Sequence, residues 1–305
     1  MNGWIMDALA NLTPRSIVRE KLAVPPPGGR LATYSLHTHS SYCDGEAAME
    51  DVVLTAIEKG IHHVGFSSHA PLPFETDWTM PPQDLDRYLA EAADLRQRYG
   101  DRITIRVGLE VDYVPHPEVA DFQAHHVYAR ALDYRIGSVH FLGDGYPPAS
   151  FDGSEEEFRR ILKQSYGGDM ETMSANYYGR VAEMATQRCV DVIGHVDLIK
   201  RWNLNEQYFS GAEPWYRRQV EAALAAIAAS GRLVELNTSA WRKGLSEPYP
   251  SEWILARCRD LDIPIILSAD AHAPDQLDFA YERAESLLSR LGIDASLPAF
   301  AAKTT

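Results

Sequence analysis

The sequence predicts an α/β protein folded as a distorted, TIM-like (β/α)7 barrel, in which seven parallel strands alternate with helices. Short runs rich in Val, Ile and Leu alternate along the chain with longer stretches of helical periodicity, the pattern of a parallel sheet. Side chains of metal-binding types follow these runs at the ends where barrel enzymes build their active sites. A length of 305 residues, 45% of them hydrophobic, suffices for one large core.

The N-terminal residues are predicted to form an extension ahead of the barrel. They end in Pro25-Pro26-Pro27-Gly28-Gly29, where the prolines stiffen the backbone and the glycines that follow make it flexible. The first strand-like run begins shortly afterwards, at Ala32. We therefore predict an N-terminal extension over residues 1–30 and a single barrel domain over residues 31–305.

Seven runs are predicted as strands because they are short and mostly continuously apolar. Strands that are buried on both faces of a parallel sheet have this composition. In chain order the runs are Ala32–His39, His63–Ser67, Ile103–Tyr113, Tyr134–His140, Val190–Val196, Arg232–Thr238 and Pro264–Ser268.

Two of the intervening stretches have clear helical patterns. The first, Ala47–Lys59, carries its apolar side chains on one stripe and is followed by Gly60, a residue typical of the position just past a helix. The second begins near Pro214 and continues to Gly231. The apolar stripe of the first helix comprises Met49, Val52, Val53, Ala56 and Ile57.

Periodicity alone does not decide between a closed barrel and an open, doubly wound sheet. Polar residues at or just beyond the predicted strand ends favour the barrel, because a barrel brings those ends around one mouth whereas an open sheet spreads them along an edge. The residues concerned are His39, His69, Glu110, His140, His195, Asp270 and His272.

Two short motifs at opposite ends of the chain pair potential metal ligands. His37-Thr38-His39 ends the first predicted strand, and Asp270-Ala271-His272 follows the last. In an extended strand alternate side chains share a face about 7 Å apart, so each motif can aim two ligands at one cavity. Imidazole together with carboxylate suits zinc, manganese or iron. The two motifs therefore predict a metal centre.

Composition excludes several other classes of protein. The formal net charge of −14 and the lack of a Lys/Arg-rich run argue against nucleic-acid binding. The sequence contains no run of 18 apolar residues, the length that a membrane-spanning helix needs, and the N-terminus lacks the apolar core of a signal peptide. We therefore expect a cytoplasmic protein. The cysteines lack CxxC spacing and predict neither a disulfide framework nor a thiolate zinc site; they are Cys43, Cys189 and Cys258.

Several segments, taken in order, resemble the PHP-family phosphoesterases over roughly residues 34–290. They are LHTHSSYCDG, GFSSHAP, VGLEVDY, IGSVHF, IGHVDL and SADAH. Through SSHAPLPF, DVIGHVDLIKRWN and ELNTSAWRKG the chain is most similar to the PHP-type histidinol-phosphatases. The resemblance implies the PHP fold and metal-dependent hydrolysis of a phosphomonoester by a hydroxide held on the metals. It also implies a substrate, L-histidinol phosphate, converted to L-histidinol and phosphate in histidine biosynthesis.

The resemblance further implies a site for three divalent metal ions, zinc, manganese or iron. The first ion would be held by His37, His39, Glu110 and Asp270; the second by Glu110, as a bridge, with His140 and His195; the third by Asp44, His69 and His272. Asp44 has an alternative role as a turn or cap residue before the helix at Ala47, since Asp-Gly is an ordinary turn sequence.

Cations that could hold the phosphate follow the later strands. Arg242 is predicted as a bidentate, catalytic clamp on the phosphate oxygens, with Lys200 and Arg201 as weaker candidates for substrate binding. Asp112 and Asp197 either support neighbouring ligands or cap turns. The remaining histidines are predicted to be structural or solvated: His62, His63, His116, His125 and His126.

Two alternative functions remain open from the residues. One is a PHP phosphodiesterase or exonuclease, against which the missing basic groove counts. The other is a catalytically silent metal-binding regulatory protein, against which the full set of nine ligand positions counts. The expected partners are a small phosphorylated metabolite and inorganic phosphate, without nucleic acid or membrane; the oligomeric state is left open.

Overall fold

The computed structural model describes residues 34–143 and 145–295, and it contains the predicted ring of seven parallel strands. Each strand pairs with its neighbour in parallel register. In ring order they are β1 Tyr34–Ser35, β2 His63–Phe66, β3 Thr104–Asp112, β4 Tyr134–Ser138, β7 Val192–Ile193, β8 Leu233–Asn237 and β9 Ile265–Ser268. A separate antiparallel hairpin joins β5, Phe141–Leu142, to β6, Ala149–Ser150.

The ring closes between the segments that follow β1 and β9. Thr38 and Ala271 form a parallel bridge, in which His39 N donates to the Ala271 carbonyl at 2.8 Å and Ala271 N donates to the His37 carbonyl at 3.0 Å. The first and last strands therefore meet, and the prediction of a closed barrel over an open sheet is confirmed.

All seven predicted strands are present, but two are much shorter than predicted. β1 covers only Tyr34–Ser35, with the further bridge at Thr38, and β7 covers only Val192–Ile193. His195 has φ of +21°, outside the extended region, so the ladder of β7 cannot continue to Val196. The predicted start of β1 at Ala32 lies outside the described residues, as does the proposed extension over residues 1–30.

Helices pack outside the strands, and both helices with clear sequence patterns are confirmed. α1 is Met49–Glu58, with four of its five stripe residues buried and Ile57 half-buried. Gly60 follows it with φ of +71°, a conformation that favours glycine. The remaining helices are α2 Leu85–Tyr99, α3 Pro117–His126, α4 Glu155–Tyr166, α5 Met170–Ala185, α6 Pro214–Ser230, α7 Ser239–Arg242, α8 Glu252–Asp260 and α9 Tyr281–Leu291.

The strands form the centre of the core. Every residue of β4, β8 and β9 is buried, as expected for strands covered on both faces. Burial on both faces fixes the register, and the register decides which side chains emerge at the carboxyl ends. Across residues 34–143 and 145–295, none of the helices combines the length and the apolarity that crossing a bilayer would require.

Candidate metal centre

Nine side chains from strand ends and the loops after them form one cluster, and seven of them line a cleft of about 520 Å³. His37 and His39 belong to the cluster but not to the lining. The potential donor atoms of the cluster fall into three overlapping groups, and within each group all donor atoms lie within 4.8 Å of one another. The groups are His37, His39 and Glu110; His69, Glu110 and His140; and His39, Asp44, His69 and His272. His195 and Asp270 complete the nine through contacts with Glu110 and His39.

Glu110, near the end of β3, is the centre of the arrangement and is only 1% exposed. Its Oε2 lies 3.2 Å from His37 Nε2 and 3.1 Å from His69 Nδ1. Its Oε1 lies 3.0 Å from His195 Nε2 and 3.6 Å from His140 Nε2. The two oxygens thus face different sets of imidazoles, as a carboxylate that bridges two ions would.

Asp270 brings the last strand to the first. Its Oδ1 lies 3.2 Å from His39 Nε2 and 3.6 Å from His37 Nε2. The Asp270 backbone has φ of +51°, which is uncommon for residues other than glycine and turns the chain sharply after β9. The two ligand motifs predicted from opposite ends of the sequence therefore share one site.

Asp44 reaches the site from the loop between β1 and α1. Its Oδ2 lies 3.3 Å from His272 Nε2, and its Oδ1 lies 3.7 Å from His69 Nε2. The loop folds tightly back on itself: Gly45 approaches Ser40 so closely that a Cβ at Gly45 would stand only 2.4 Å from Ser40 N. The turn predicted at Asp-Gly is therefore present, and it places the Asp44 carboxylate beside the imidazoles.

The donor set fits divalent metal ions. His37 Nε2, His39 Nε2 and His69 Nδ1 are buried and have no hydrogen-bond partner within the described part of the chain. Ligand bonds of 2.0–2.2 Å around one ion separate neighbouring donors by about 3.0–3.6 Å, close to the separations seen here. Bound ions would supply the partners that these nitrogens otherwise lack.

Electrostatics keep the carboxylates ionised and two of the imidazoles neutral. Burial alone would raise the pKa of Glu110, but His37 and His69 lower it well below its ordinary value. The pKa of Asp270 is likewise well below its usual range, since His37 and His39 outweigh burial. Burial lowers the pKa values of His39 and His69. Carboxylate and neutral imidazole are the forms that ligate metals.

Supporting residues orient the ligands from behind. Asp112 Oδ1 lies 2.8 Å from His140 Nδ1, so of its two predicted roles the structure favours ligand support. Ser138 Oγ donates to Glu110 Oε1 at 2.5 Å. Glu235 Oε1 lies 2.5 Å from His37 Nδ1. Neither Ser138 nor Glu235 was predicted from the sequence, although a charged residue within the buried β8 run indicates a paired function.

Asp197 does not support a ligand side chain. Its Oδ2 accepts hydrogen bonds from Ser251 N at 2.9 Å and Ser251 Oγ at 3.0 Å, and it pairs with Lys200 Nζ at 2.8 Å. The alternative prediction, that Asp197 caps the following turn, is also wrong, because its side chain makes no cap hydrogen bond to the 3-10 turn Leu198–Lys200.

The predicted phosphate cations separate into two groups. Arg201 and Arg242 line the cleft together with Lys243, which was not predicted from the sequence. Lys200 is buried outside the lining, where Nζ donates to the Pro248 carbonyl at 2.6 Å and to Ser251 Oγ at 2.7 Å. The structure does not bring Lys200 to the cleft, because the 3-10 turn Leu198–Lys200 directs it toward Asp197.

The five histidines that were set aside do not line the cleft. His116 caps the start of α3 by accepting from Glu118 N, and its ring stacks on Tyr146 at 3.9 Å. His125 and His126 lie at the end of the same helix and are exposed. His62 is exposed and His63 begins β2 at the opposite end from the cleft.

Several known proteins are similar to this chain in sequence and in fold. The PHP domain family matches residues 35–239. The Schizosaccharomyces pombe "Probable histidinol-phosphatase" is 30% identical over 275 residues, 85% of this chain and 87% of the relative. The Bacillus subtilis histidinol-phosphatase is 29% identical and covers 81% of this chain and 96% of its own. A crystal structure from Listeria monocytogenes, provisionally named a histidinol phosphatase, superposes with a TM-score of 0.73 and 25% identity over 82% of this chain and 99% of its own.

The matched family region contains seven of the nine clustered donors, from His37 to His195, and the curated relatives extend the similarity to most of the chain. The sequence, the closed seven-stranded barrel and the donor cluster agree. The chain belongs to the PHP domain family, among its histidinol-phosphatases.

Proposed function

We propose that this protein hydrolyses L-histidinol phosphate to L-histidinol and phosphate with the help of divalent metal ions. The observation that carries the proposal is a cluster of nine metal-type donors, seven of which line one cleft together with three cationic side chains. Curated relatives that align over most of this chain are histidinol-phosphatases, which supports the choice of substrate.

The proposed metal site holds three ions, of zinc, manganese or iron. His37, His39, Glu110 and Asp270 would hold the first; Glu110, His140 and His195 the second; Asp44, His69 and His272 the third. His69 Nδ1 also lies 3.1 Å from Glu110 Oε2, so this imidazole stands between two of the positions. Divalent ions in such a site polarise phosphoryl oxygens and lower the pKa of bound water.

We propose that Arg201, Arg242 and Lys243 bind the phosphate. The Arg242 guanidinium donates to the Asp270 carbonyl at 2.9 Å, which fixes its position at the cleft wall and leaves other N–H groups for phosphate oxygens. Lys243 Nζ lies 3.9 Å from Asp270 Oδ2, close to the proposed first ion. Positive charge on this wall counters the phosphate dianion as charge builds on its oxygens.

Other residues of the lining suit the rest of the substrate. Asp77 and Asp152 contribute acidic groups to the cleft, and Trp78 contributes an aromatic surface. L-Histidinol phosphate carries a protonated amine and an imidazole ring, which carboxylates and an aromatic face can bind. A cleft lined by both cations and carboxylates therefore favours an amino-alcohol phosphate over a phosphomonoester that carries no amine.

Hydrolysis of a panel of substrates tests the proposal, measured as phosphate release for the monoesters and as release of the alcohol for the diester. The panel contains L-histidinol phosphate, phosphoserine, glycerol phosphate and a synthetic phosphodiester, each assayed with added zinc, manganese or iron. We expect the highest kcat/KM for L-histidinol phosphate. Equal rates on all monoesters would contradict the substrate, a preference for the diester would contradict the reaction class, and no hydrolysis with any metal would favour the silent alternative.

A further inference from the structure

Glu235 lies in the middle of β8, is fully buried, and is absent from both the cleft lining and the donor groups of the described residues. Its Oε1 accepts hydrogen bonds from His37 Nδ1 at 2.5 Å and from Ser268 Oγ. Its Oε2 accepts from His195 N at 2.9 Å and from Asn237 Nδ2 at 3.0 Å. A carboxylate has about four acceptor sites, and all four are used here.

The first contact fixes the orientation of the His37 ring. An ionised carboxylate can only accept, so in the neutral form of His37, which is the form that ligates a metal, the proton stays on Nδ1 and Nε2 presents a lone pair. That Nε2 points between Glu110 Oε2, at 3.2 Å, and Asp270 Oδ1, at 3.6 Å. Glu235 therefore selects the tautomer of His37 that can ligate an ion at the first position.

The second contact holds the backbone of His195. With φ of +21° this residue occupies a sparsely populated conformation, which persists only where its surroundings hold it. The hydrogen bond from His195 N to Glu235 Oε2 is one such restraint. It places His195 Nε2 3.0 Å from Glu110 Oε1, on the side of the second position.

We propose that Glu235 is a positioning residue that aims two ligands belonging to different metal positions, so that one side chain sets the affinity of both ions. The inference rests on the metal site proposed above. Asp112 provides a contrast: its Oδ1 supports His140 alone, and its Oδ2 has no hydrogen-bond partner in the described residues. Loss of Glu235 should therefore weaken two positions, whereas loss of the Asp112 charge should weaken one.

Glu235→Gln is the informative substitution because it keeps the shape and removes two acceptor sites. If the amide oxygen faces His37, the NH₂ group faces the N–H of His195 and the two donors repel. If the amide is turned over, its NH₂ group meets His37 Nδ1 and favours the tautomer with the proton on Nε2, which cannot bind metal. Either orientation disturbs one ligand directly and leaves the other less well held.

The test measures the number of metal ions bound per chain in the absence of substrate. The purified protein and its variants are dialysed against graded chelator concentrations, and bound metal is measured by elemental analysis. We expect Glu235→Gln to lose two ions per chain at about 10–100-fold lower chelator concentration than the unmodified protein, since supporting residues contribute about that much to metal affinity. Asp112→Asn should lose one ion early. Turnover by Glu235→Gln should recover as metal is added, which a purely structural defect would not show.

The matched control is Glu221→Gln, which removes a surface carboxylate paired with Arg257. Unchanged ion affinities in Glu235→Gln, or equal losses in Glu221→Gln, would overturn the inference. Circular dichroism of each apoprotein checks folding; if Glu235→Gln unfolds, Glu235→Asp, which is too short to reach both His37 and His195, is judged by the same criteria. Failure to hydrolyse histidinol phosphate would contradict the proposed function, whereas unchanged ion affinities contradict only the role of Glu235.

Discussion

The floor and the rim of the cleft are built differently. The floor consists of buried donors such as His37 and Glu110, which stand at strand ends and contact one another or residues of neighbouring strands. The rim consists of partly exposed residues such as Arg201, Lys243 and Asp152, which stand on loops and short helical turns. Strand register fixes the floor, whereas loop conformation fixes the rim.

The difference separates two tasks. A floor held by the barrel can keep its donor geometry while loops change, so the reaction depends on the floor and the choice of substrate depends on the rim. Substitutions in the floor should therefore lower turnover with any substrate, and substitutions in the rim should change affinity in a way that depends on the substrate.

Removal of the metals should have the largest effect because it disables the whole floor. Exhaustive chelation is expected to abolish phosphate release and to lower the Tm, since ions at 100 times their Kd stabilise a fold by about 2.7 kcal/mol each. Activity assays and thermal unfolding before and after readdition of zinc, manganese or iron measure both effects. Full turnover in protein shown to lack metal would contradict the proposed site.

Asp270→Ala should lower turnover nearly as much, because it removes one ligand of the floor and its contact with His39. We expect a fall in kcat of more than about 10³-fold, beyond the cost of losing a single charge-stabilising donor. Steady-state kinetics together with metal content measure it, and His126→Ala, an exposed residue outside the cleft, is the control. A near-normal rate in Asp270→Ala, or a comparable loss in His126→Ala, would show that the choice of ligands is wrong.

Arg242→Ala tests the boundary between floor and rim. The guanidinium both lines the cleft and donates to the Asp270 carbonyl, so we expect kcat/KM to fall about 10²-fold while the metal content stays near normal. Arg242→Lys keeps the charge but loses bidentate geometry, and should recover only part of the activity. Loss of metal from Arg242→Ala would assign the residue to the floor instead.

Asp152→Asn should have a smaller effect that depends on the substrate. If this carboxylate binds the amine of the substrate, its loss raises KM for L-histidinol phosphate about tenfold, the scale of one hydrogen bond to a charged group. KM for glycerol phosphate, which has no amine, should not change. An equal increase in both KM values would argue against recognition of the amine by Asp152.

Lys200→Met should have the smallest effect on substrate binding. It breaks the buried contact with Asp197 and is expected to lower the free energy of unfolding by about 3–5 kcal/mol while leaving KM unchanged. Denaturant unfolding and steady-state kinetics separate the two effects. A raised KM with unchanged stability would return Lys200 to the substrate-binding residues.

The sequence predicted the floor better than the rim, for a physical reason. His140 and His195 follow buried strands, and a parallel barrel brings such ends to one mouth wherever the strands themselves are recognised. Lys200 and Arg201 are adjacent in sequence, yet only Arg201 reaches the cleft, because the direction of a side chain after a strand depends on turns that periodicity does not describe. Glu235 was missed because a single carboxylate within an apolar run does not reveal its partners before the fold is known.

The seam of the barrel has a mechanical consequence. Within the described residues, the first and last strands are joined through the backbone pairing of Thr38 with Ala271, and both residues sit between donors of the two ligand motifs. An ion shared by His37, His39 and Asp270 would link the segment after the first strand to the segment after the last strand. Binding of the metal ion and stabilisation of the barrel closure would then occur together.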